Sequence, residues 1–217
     1  MSFLFYLLIF YALGIVLWIT RKYDLFTISF IFGISAVFLG FGGISAFLYL
    51  ILFFCIAEGI TTILNHKHEK RSYVNLLGNC LAGSAFLVFG QITAGLASIS
   101  AAFSDTLSSE IGRLSKKKPI LITNFKKVDA GVNGGITILG IFGALFVSAI
   151  TFIFFNFIFK YDLKATLIIS IVGFLGSIID SYIGALWENK GYIDNAQTNF
   201  LATTVAGFIA VIILAII

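Results

Sequence analysis

Two carboxylates five residues apart, Asp105 and Glu110, end an apolar run and open the most charged stretch of the chain, SDTLSSEIGRLSKKKPILITNFKKVDAGVNGG, from Ser104 to Gly135. An acid at the edge of hydrocarbon carries a desolvation cost, so it is expected to face a metal, a substrate or a cationic partner. On a helix over 92–114, Asp105, Ser109 and Gly112 share a face by i, i+4 and i+7 spacing, while Glu110 lies with Thr106 and Arg113 on an adjacent one. A hard cation such as Mg²⁺ takes oxygen ligands, commonly one or two carboxylates plus substrate phosphates and water. The structural alternative pairs Glu110 with Arg113 at the membrane surface and leaves Asp105 merely interfacial.

The second half of the stretch, NFKKVDAGVNGG, places cations before glycines and glycines before an apolar helix that starts near Ile136. Glycines at 131, 134 and 135 let backbone N–H groups approach a phosphate, and Arg113, Lys126 and Lys127 neutralise its charge. A helix N-terminus adds to the attraction for anions. No GxxxxGK[ST] pattern occurs, so nucleotide chemistry here is not of the P-loop type. An ordinary connecting loop explains the glycines equally well.

A second acidic helix reads GSIIDSYIGALWENKGYIDNAQTNF. Asp180 has Ser177, Ser181 and Gly184 around it, a small and polar face that permits close helix approach or leaves room for a ligand. A purely structural hydrogen-bonding Asp180 is the alternative. Asn195 and Asn199, one turn apart at the start of the next helix, either cap it or reach a substrate. Asn75 and Asn79 stand at i, i+4 with Gly83 continuing their face, and Glu58 is a further intramembrane acid. His66 and His68 form an HxH without other clear ligands, a weak metal signal.

These residues must be positioned by membrane helices. The chain of 217 residues is 59% hydrophobic and 11% charged, with a mean hydropathy of +1.06, whereas soluble domains carry about a quarter charged residues. The fold class expected is all-α, a polytopic transmembrane protein of about seven to eight segments forming one domain over 1–217. Apolar runs fall near 2–20, 25–40, 43–64, 74–103, 134–159, 164–187 and 198–217. The fourth exceeds one span, and Gly90, Gln91, Thr93 and Gly95 interrupt it.

Charge decides between one crossing and two. If 74–89 and 92–114 are separate spans, Arg21, Lys22, Lys67, Lys70, Arg71, Arg113, Lys116, Lys117, Lys118, Lys126, Lys127 and Lys190 share one side, with only Lys160 and Lys164 opposite. A single crossing divides them evenly. The expectation is therefore eight crossings, both termini outside, and a cytoplasmic active-site loop at about 113–134 that holds the only proline, Pro119. The basic residues lie in short connectors, which argues against nucleic acid as a partner. Cys55 and Cys80, both in apolar runs, read as free thiols. The first run lacks a basic leader and is expected to be a span rather than a signal peptide.

Four ordered motifs, DTLSSEIG, PILITNFKKVDAGVNGG, GSIIDSYIGA and DNAQTNF, resemble the integral-membrane phytyl-phosphate kinase family of the vitamin E pathway and its archaeal and bacterial relatives. The resemblance runs from about Arg71 to the C-terminus. The loop is also similar to the CTP loops of dolichol and phytol kinases, with Asp105, Gly112, Lys127, Gly131 and Gly135 in corresponding order. Where those kinases often have Lys-Thr, this chain has Lys127-Val128, and Ser108 stands where the family motif has Ala.

The activity so implied is phosphoryl transfer from a nucleoside triphosphate, CTP preferred, to an isoprenyl monophosphate such as phytyl or geranylgeranyl phosphate, giving the diphosphate. Asp105, Glu110, Asp180 and Lys127 are expected to be catalytic, the three acids holding Mg²⁺. Ser109, Arg113, Lys126, Lys127, Gly131, Asn133, Gly134 and Gly135 are expected at the nucleotide, and Asn79, Ser181, Asn195 and Asn199 at the lipid phosphate. The location expected is the plasma membrane of a prokaryote, active site cytoplasmic. Two other readings use the same residues: a CTP:lipid-phosphate cytidylyltransferase attacking the α-phosphorus, and an ion-coupled transporter whose acids bind coupling ions.

Overall fold

The computed structural model describes residues 24–64 and 73–216. The first apolar run, Arg21, Lys22, Lys67, Lys70, Arg71 and the His66/His68 pair lie outside the described residues.

The described chain is all-α apart from one small hairpin. Helix α1 spans Leu25–Ile63, α2 Tyr73–Val88, α3 Ile92–Gly112, α4 Ile138–Phe152, α5 Leu163–Leu186 and α6 Asn195–Ile216. A π-helical stretch, Ile153–Ile158, prolongs α4, and a 3₁₀ turn, Glu188–Lys190, follows α5. Strands β1, Ile120–Leu121, and β2, Gly135–Ile136, pair antiparallel with Ile120 opposite Ile136 and Leu121 opposite Gly135.

Helix α1 begins at Asp24, whose carboxylate accepts hydrogen bonds from the Thr27 N–H at 2.8 Å and its hydroxyl at 2.9 Å. These bonds hold the Asp24 carboxyl below its ordinary pKa. At Gly43 (φ 75°, ψ −175°) the helix kinks. A Cβ built on Gly42 would lie 2.5 Å from that of Ala46, whereas i, i+4 neighbours on a straight helix stand about 5–6 Å apart, so the bend is sharp. It falls where the sequence separates the 25–40 and 43–64 runs.

The long run 74–103 resolves into two helices. Gly90 at φ 74° makes the turn, with Gly90 N–H donating to Leu87 C=O at 2.9 Å and Gln91 N–H to Phe86 C=O at 2.8 Å. This is the helical break expected from Gly90 and Gln91.

Helix α3 lies at the centre and is buried on every side from Ala94 to Ser104. Small residues let its neighbours come close. A Cβ added to Gly140 or Gly143 of α4 would collide with the α3 backbone at Ser108 or Leu107, and one on Gly173 or Gly176 of α5 with Ser100 or Ala101. Ser98 donates to the Thr203 carbonyl of α6 at 2.8 Å, and Tyr49, Thr151 and Ser100 hydrogen-bond in one buried group joining α1, α4 and α3. Interhelical bonds of this kind contribute about 0.6 kcal/mol each, so close packing carries more of the stability than they do.

Four described stretches are long and apolar enough to cross a membrane: Leu25–Ile63, Ile138–Ile158, Leu163–Lys190 and Asn195–Ile216. The expected seven to eight segments do not all meet that standard, for physical reasons. α1 joins two of them across its kink; α2, at 16 residues, is about 24 Å long against roughly 30 Å of hydrocarbon; α3 carries serines and acids, which its protein surroundings tolerate.

The bundle has two distinct ends. Ser45, just past the Gly43 bend, shares a 2.7 Å hydrogen bond with Tyr161 of the α4–α5 connection, and Gly42 packs on Leu87 beside the α2–α3 turn. The connections 113–137 and 187–194 meet at the other end.

Candidate functional site

At that second end the C-termini of α3 and α5, the N-terminus of α4 and the two connections enclose an open cavity of about 460 Å³. Its acidic wall is built by Asp105 of α3, Asp180 of α5 and Glu188 of the 3₁₀ turn. The three carboxylates are close enough for their charges to interact. Asp105 reaches the cavity with Ser109 and Gly112, as the helical spacing predicts, and Asp180 with Ser181 and Gly184. The same cavity is bordered by the cations Arg113, Lys116, Lys117 and Lys118.

The six aspartates of the chain divide cleanly. Asp24, Asp162 and Asp194 cap helices, accepting from the N–H groups of Thr27, Ala165 and Gln197, and Asp129 accepts from Lys118 Nζ at 2.7 Å. Asp105 and Asp180 have no hydrogen bond or ion pair with any of the described residues. Two inward acids without a protein partner are a costly arrangement unless a cation or a polar ligand completes it.

The connection 113–137 is held by the hairpin. Leu121 N–H donates to Lys126 C=O at 2.8 Å, Val128 N–H to Pro119 C=O at 3.0 Å and Ile122 N–H to Gly134 C=O at 3.0 Å. The glycine turn 131–135 is thereby fixed along the cavity edge, with Gly131 at φ 92° and Gly134 at φ 77°. Among the described residues the N–H groups of Gly131 and Gly134 donate to no acceptor. Gly134 also packs tightly: a Cβ there would sit 2.5 Å from both the Ser181 carbonyl oxygen and the Ala185 Cβ. The Lys118–Asp129 hydrogen bond and charge pair raise the Lys118 pKa and lower that of Asp129, both groups being on the exposed rim.

The cavity brings together Asp105, Ser109, Arg113, Gly131, Asn133, Gly134, Gly135, Asp180, Ser181 and Asn195 of the residues singled out in the sequence. Asn79 and Asn199 lie beneath the two aspartates, lining with Thr203 a gap too narrow for a water molecule, so they back the acids instead of meeting a ligand directly. Asn199 does not cap α6: Asp194 does, through Gln197 N–H at 2.8 Å, and its own N–H is returned to Gln197 Oε1 at 2.9 Å.

Three expected residues stand apart. Glu110 is turned toward Arg113, at 3.8 Å, and does not line the cavity, because one residue beyond Ser109 rotates it about 100° round the helix. Lys126 and Lys127 also lie off it, since Lys127 bridges back to Ile120 and the chain folds before reaching the glycines. Lys116 and Lys117, earlier in the loop, line the cavity instead. Glu188 escaped the sequence reading because it follows the end of α5 at Leu186, where helical projection no longer applies; Thr198 Oγ1 donates to its Oε2 at 2.9 Å and holds it in place.

For Mg²⁺ the donor set fits. Among the described residues no three His, Cys, Asp or Glu side chains form a ready-made cage, and this ion commonly takes only one or two protein carboxylates and completes its shell with phosphate and water.

Comparison with known proteins places the chain among membrane proteins. An uncharacterized membrane protein of Methanocaldococcus jannaschii is 36% identical over 194 residues, covering 82% of this chain and 79% of that protein. Protein PGR of Arabidopsis thaliana is 39% identical over 99 residues, covering 41% of this chain and 34% of the plant protein. No solved structure matches. The family described as integral membrane protein DUF92 matches residues 3–207, nearly the whole length, and the chain belongs to it.

Proposed function

We propose that the protein is a nucleotide-dependent kinase, CTP preferred, that converts an isoprenyl monophosphate such as phytyl or geranylgeranyl phosphate to the diphosphate. The observation that carries this reading is the mixed lining of one cavity: two aspartates without a hydrogen-bond partner among the described residues, lysines and an arginine, and a glycine turn whose Gly131 and Gly134 N–H groups donate to no described acceptor. Phosphoryl transfer to a phosphate needs charge neutralisation and in-line positioning more than covalent help. The acceptor already carries negative charge, so no general base is assigned.

Each group has a role in that chemistry. Asp105 and Asp180 would hold Mg²⁺, which when bound neutralises phosphate charge. Arg113, Lys116 and Lys117 draw the triphosphate in and offset the charge that builds on the transferring group. Gly131 and Gly134 present backbone donors to phosphate oxygens. Asn79 and Asn199 line a narrow gap beneath the acids, and Ser181 and Asn195, on the cavity lining, would meet the lipid phosphate.

The topology supports a cytoplasmic site. Arg113, Lys116, Lys117, Lys118, Lys126, Lys127 and Lys190 all belong to the connections at the cavity end, while Lys160 and Lys164 flank Tyr161 at the other. With the cavity end cytoplasmic, the distribution follows the positive-inside rule. Eight crossings follow if the α1 bend reverses the chain and residues before Asp24 contribute a further span.

The test is to incubate purified protein with Mg²⁺, labelled CTP, ATP, GTP or UTP, and phytyl or geranylgeranyl phosphate. A kinase releases nucleoside diphosphate and forms the lipid diphosphate. Release of pyrophosphate would replace this reading with cytidylyl transfer, and no turnover with any pair would remove it.

A further inference from the structure

We propose that Asn189 is a positioning residue that ties the glycine turn to the strap following α5 and so sets the affinity for the nucleotide. The proposal rests on the kinase reading for its functional half and on geometry alone for the tether. The Asn189 side chain makes two hydrogen bonds to one residue of the turn: its Oδ1 accepts from the Asn133 N–H at 3.2 Å, and its Nδ2 donates to the Asn133 C=O at 2.8 Å. A carboxamide carries a donor and an acceptor at the spacing of a peptide group, so this contact is a bridge of strand type between segments 56 residues apart. Aspartate lacks the donor, and alanine both partners.

The strap is itself anchored. Asn189 sits on the 3₁₀ turn Glu188–Lys190, which Gly191 ends at φ 72°. The preceding residue, Glu188, accepts from Thr198 Oγ1 on α6, so adjacent residues of one short turn grip α6 on one side and the glycine turn on the other. Asn133 also lies against α5, its Cβ 3.3 Å from where a Cβ on Gly184 would stand, and its neighbour Gly134 carries an unpaired N–H. Without the Asn189 amide, the cavity keeps its acids and cations, but the turn loses its cross-link to the strap. A ligand must then order the turn on binding, which lowers affinity and leaves the reacting groups in place.

The experiment uses full-length protein in lipid nanodiscs, wild type, Asn189→Ala and Asn189→Asp. Amide hydrogen exchange is followed at Asn133, and steady-state kinetics with CTP and phytyl phosphate. In Asn189→Ala we expect Asn133 exchange to rise about tenfold, as loss of two exposed hydrogen bonds allows. KM for CTP should rise by a similar factor, with kcat and KM for phytyl phosphate nearly unchanged. Asn189→Asp retains the acceptor for Asn133 N–H and should show smaller changes in both readouts; it also serves if the alanine variant does not fold. Wild-type exchange at Asn133 in a folded Asn189→Ala protein would overturn the tether. Faster exchange with an unchanged KM for CTP, or a fall in kcat alone, would overturn its role in nucleotide affinity. If wild type turns over no nucleotide, the kinase reading falls and with it the role in affinity, while exchange alone still decides whether the tether exists.

Discussion

Replacing Gly134 by alanine should damage this protein in two separable ways. Gly134 stands at φ 77°, in the left-handed region, where an L-residue costs about 1–2 kcal/mol. The added Cβ would lie 2.5 Å from the Ser181 carbonyl oxygen and from Ala185 Cβ, and relaxed heavy-atom contacts need roughly 3.5 Å, so the turn must retreat by about 1 Å. With about 1–3 kcal/mol more for the overpacking, the loss is about 2–5 kcal/mol, which at roughly 2–4 °C per kcal/mol for a chain of this size lowers Tm by about 4–20 °C. A shift of 1 Å in a positioning element costs turnover about 100-fold. Gly131→Ala is the matched comparison: its φ of 92° brings the same backbone strain, but no atom lies within 4 Å of the new Cβ. Thermal unfolding in detergent and kinase turnover should therefore both fall further for Gly134→Ala than for Gly131→Ala. Equal effects of the two substitutions would refute the argument from close packing against α5, and wild-type behaviour in Gly134→Ala would remove the turn from the site.

Asp105→Asn and Asp180→Asn preserve shape and remove charge, and each should lower Mg²⁺-dependent turnover at least about 100-fold, equivalent to about 2.7 kcal/mol; a folded variant with normal rates would take that acid out of the reaction. Lys117→Ala should raise the CTP concentration needed for half-maximal rate several-fold more than Lys127→Ala, because only the former lines the cavity; the reverse order in a CTP titration would restore the latter. Asp129→Asn frees Lys118 and removes a negative charge from the rim, so nucleotide affinity should increase about two- to fivefold, the scale of an exposed ion pair. A cysteine at position 117 should react only with reagent added from the cytoplasmic side.

The helices and the main acids were legible in the sequence because both obey local rules. The 3.6-residue period placed Asp105, Ser109 and Gly112 on one face, and a glycine followed by a glutamine marked the break that Gly90 makes. Lys126 and Lys127 lie off the cavity because proximity along the chain is a poor guide inside a folded connection. The Ile120–Lys127 bridge returns the chain on itself, carrying Lys126 and Lys127 off the cavity while Lys116 and Lys117 border it. Glu188 and Asn189 were hidden for a related reason: beyond Leu186 the backbone leaves the α-helical path, and no periodicity reports where their side chains go. Glycines at 140, 143, 173 and 176 suggested nothing individually, yet they let α4 and α5 close upon α3.

The burial of α3 bears on how the protein is made. Helix α3 carries Asp105, Glu110 and six serines or threonines from Ser98 to Ser109, and an acid costs more to place the deeper it lies in hydrocarbon. Such a segment is a poor substrate for insertion by itself. Its predecessor α2 is apolar and joined to it by only Phe89, Gly90 and Gln91, so the two form a tight helical hairpin. The polar face of α3 then stays uncovered until α5 and α6, later in the chain, arrive to enclose it. An unfinished bundle, with α3 made and α5 and α6 not yet packed on it, would leave Asp105 without the protein surroundings that enclose it here.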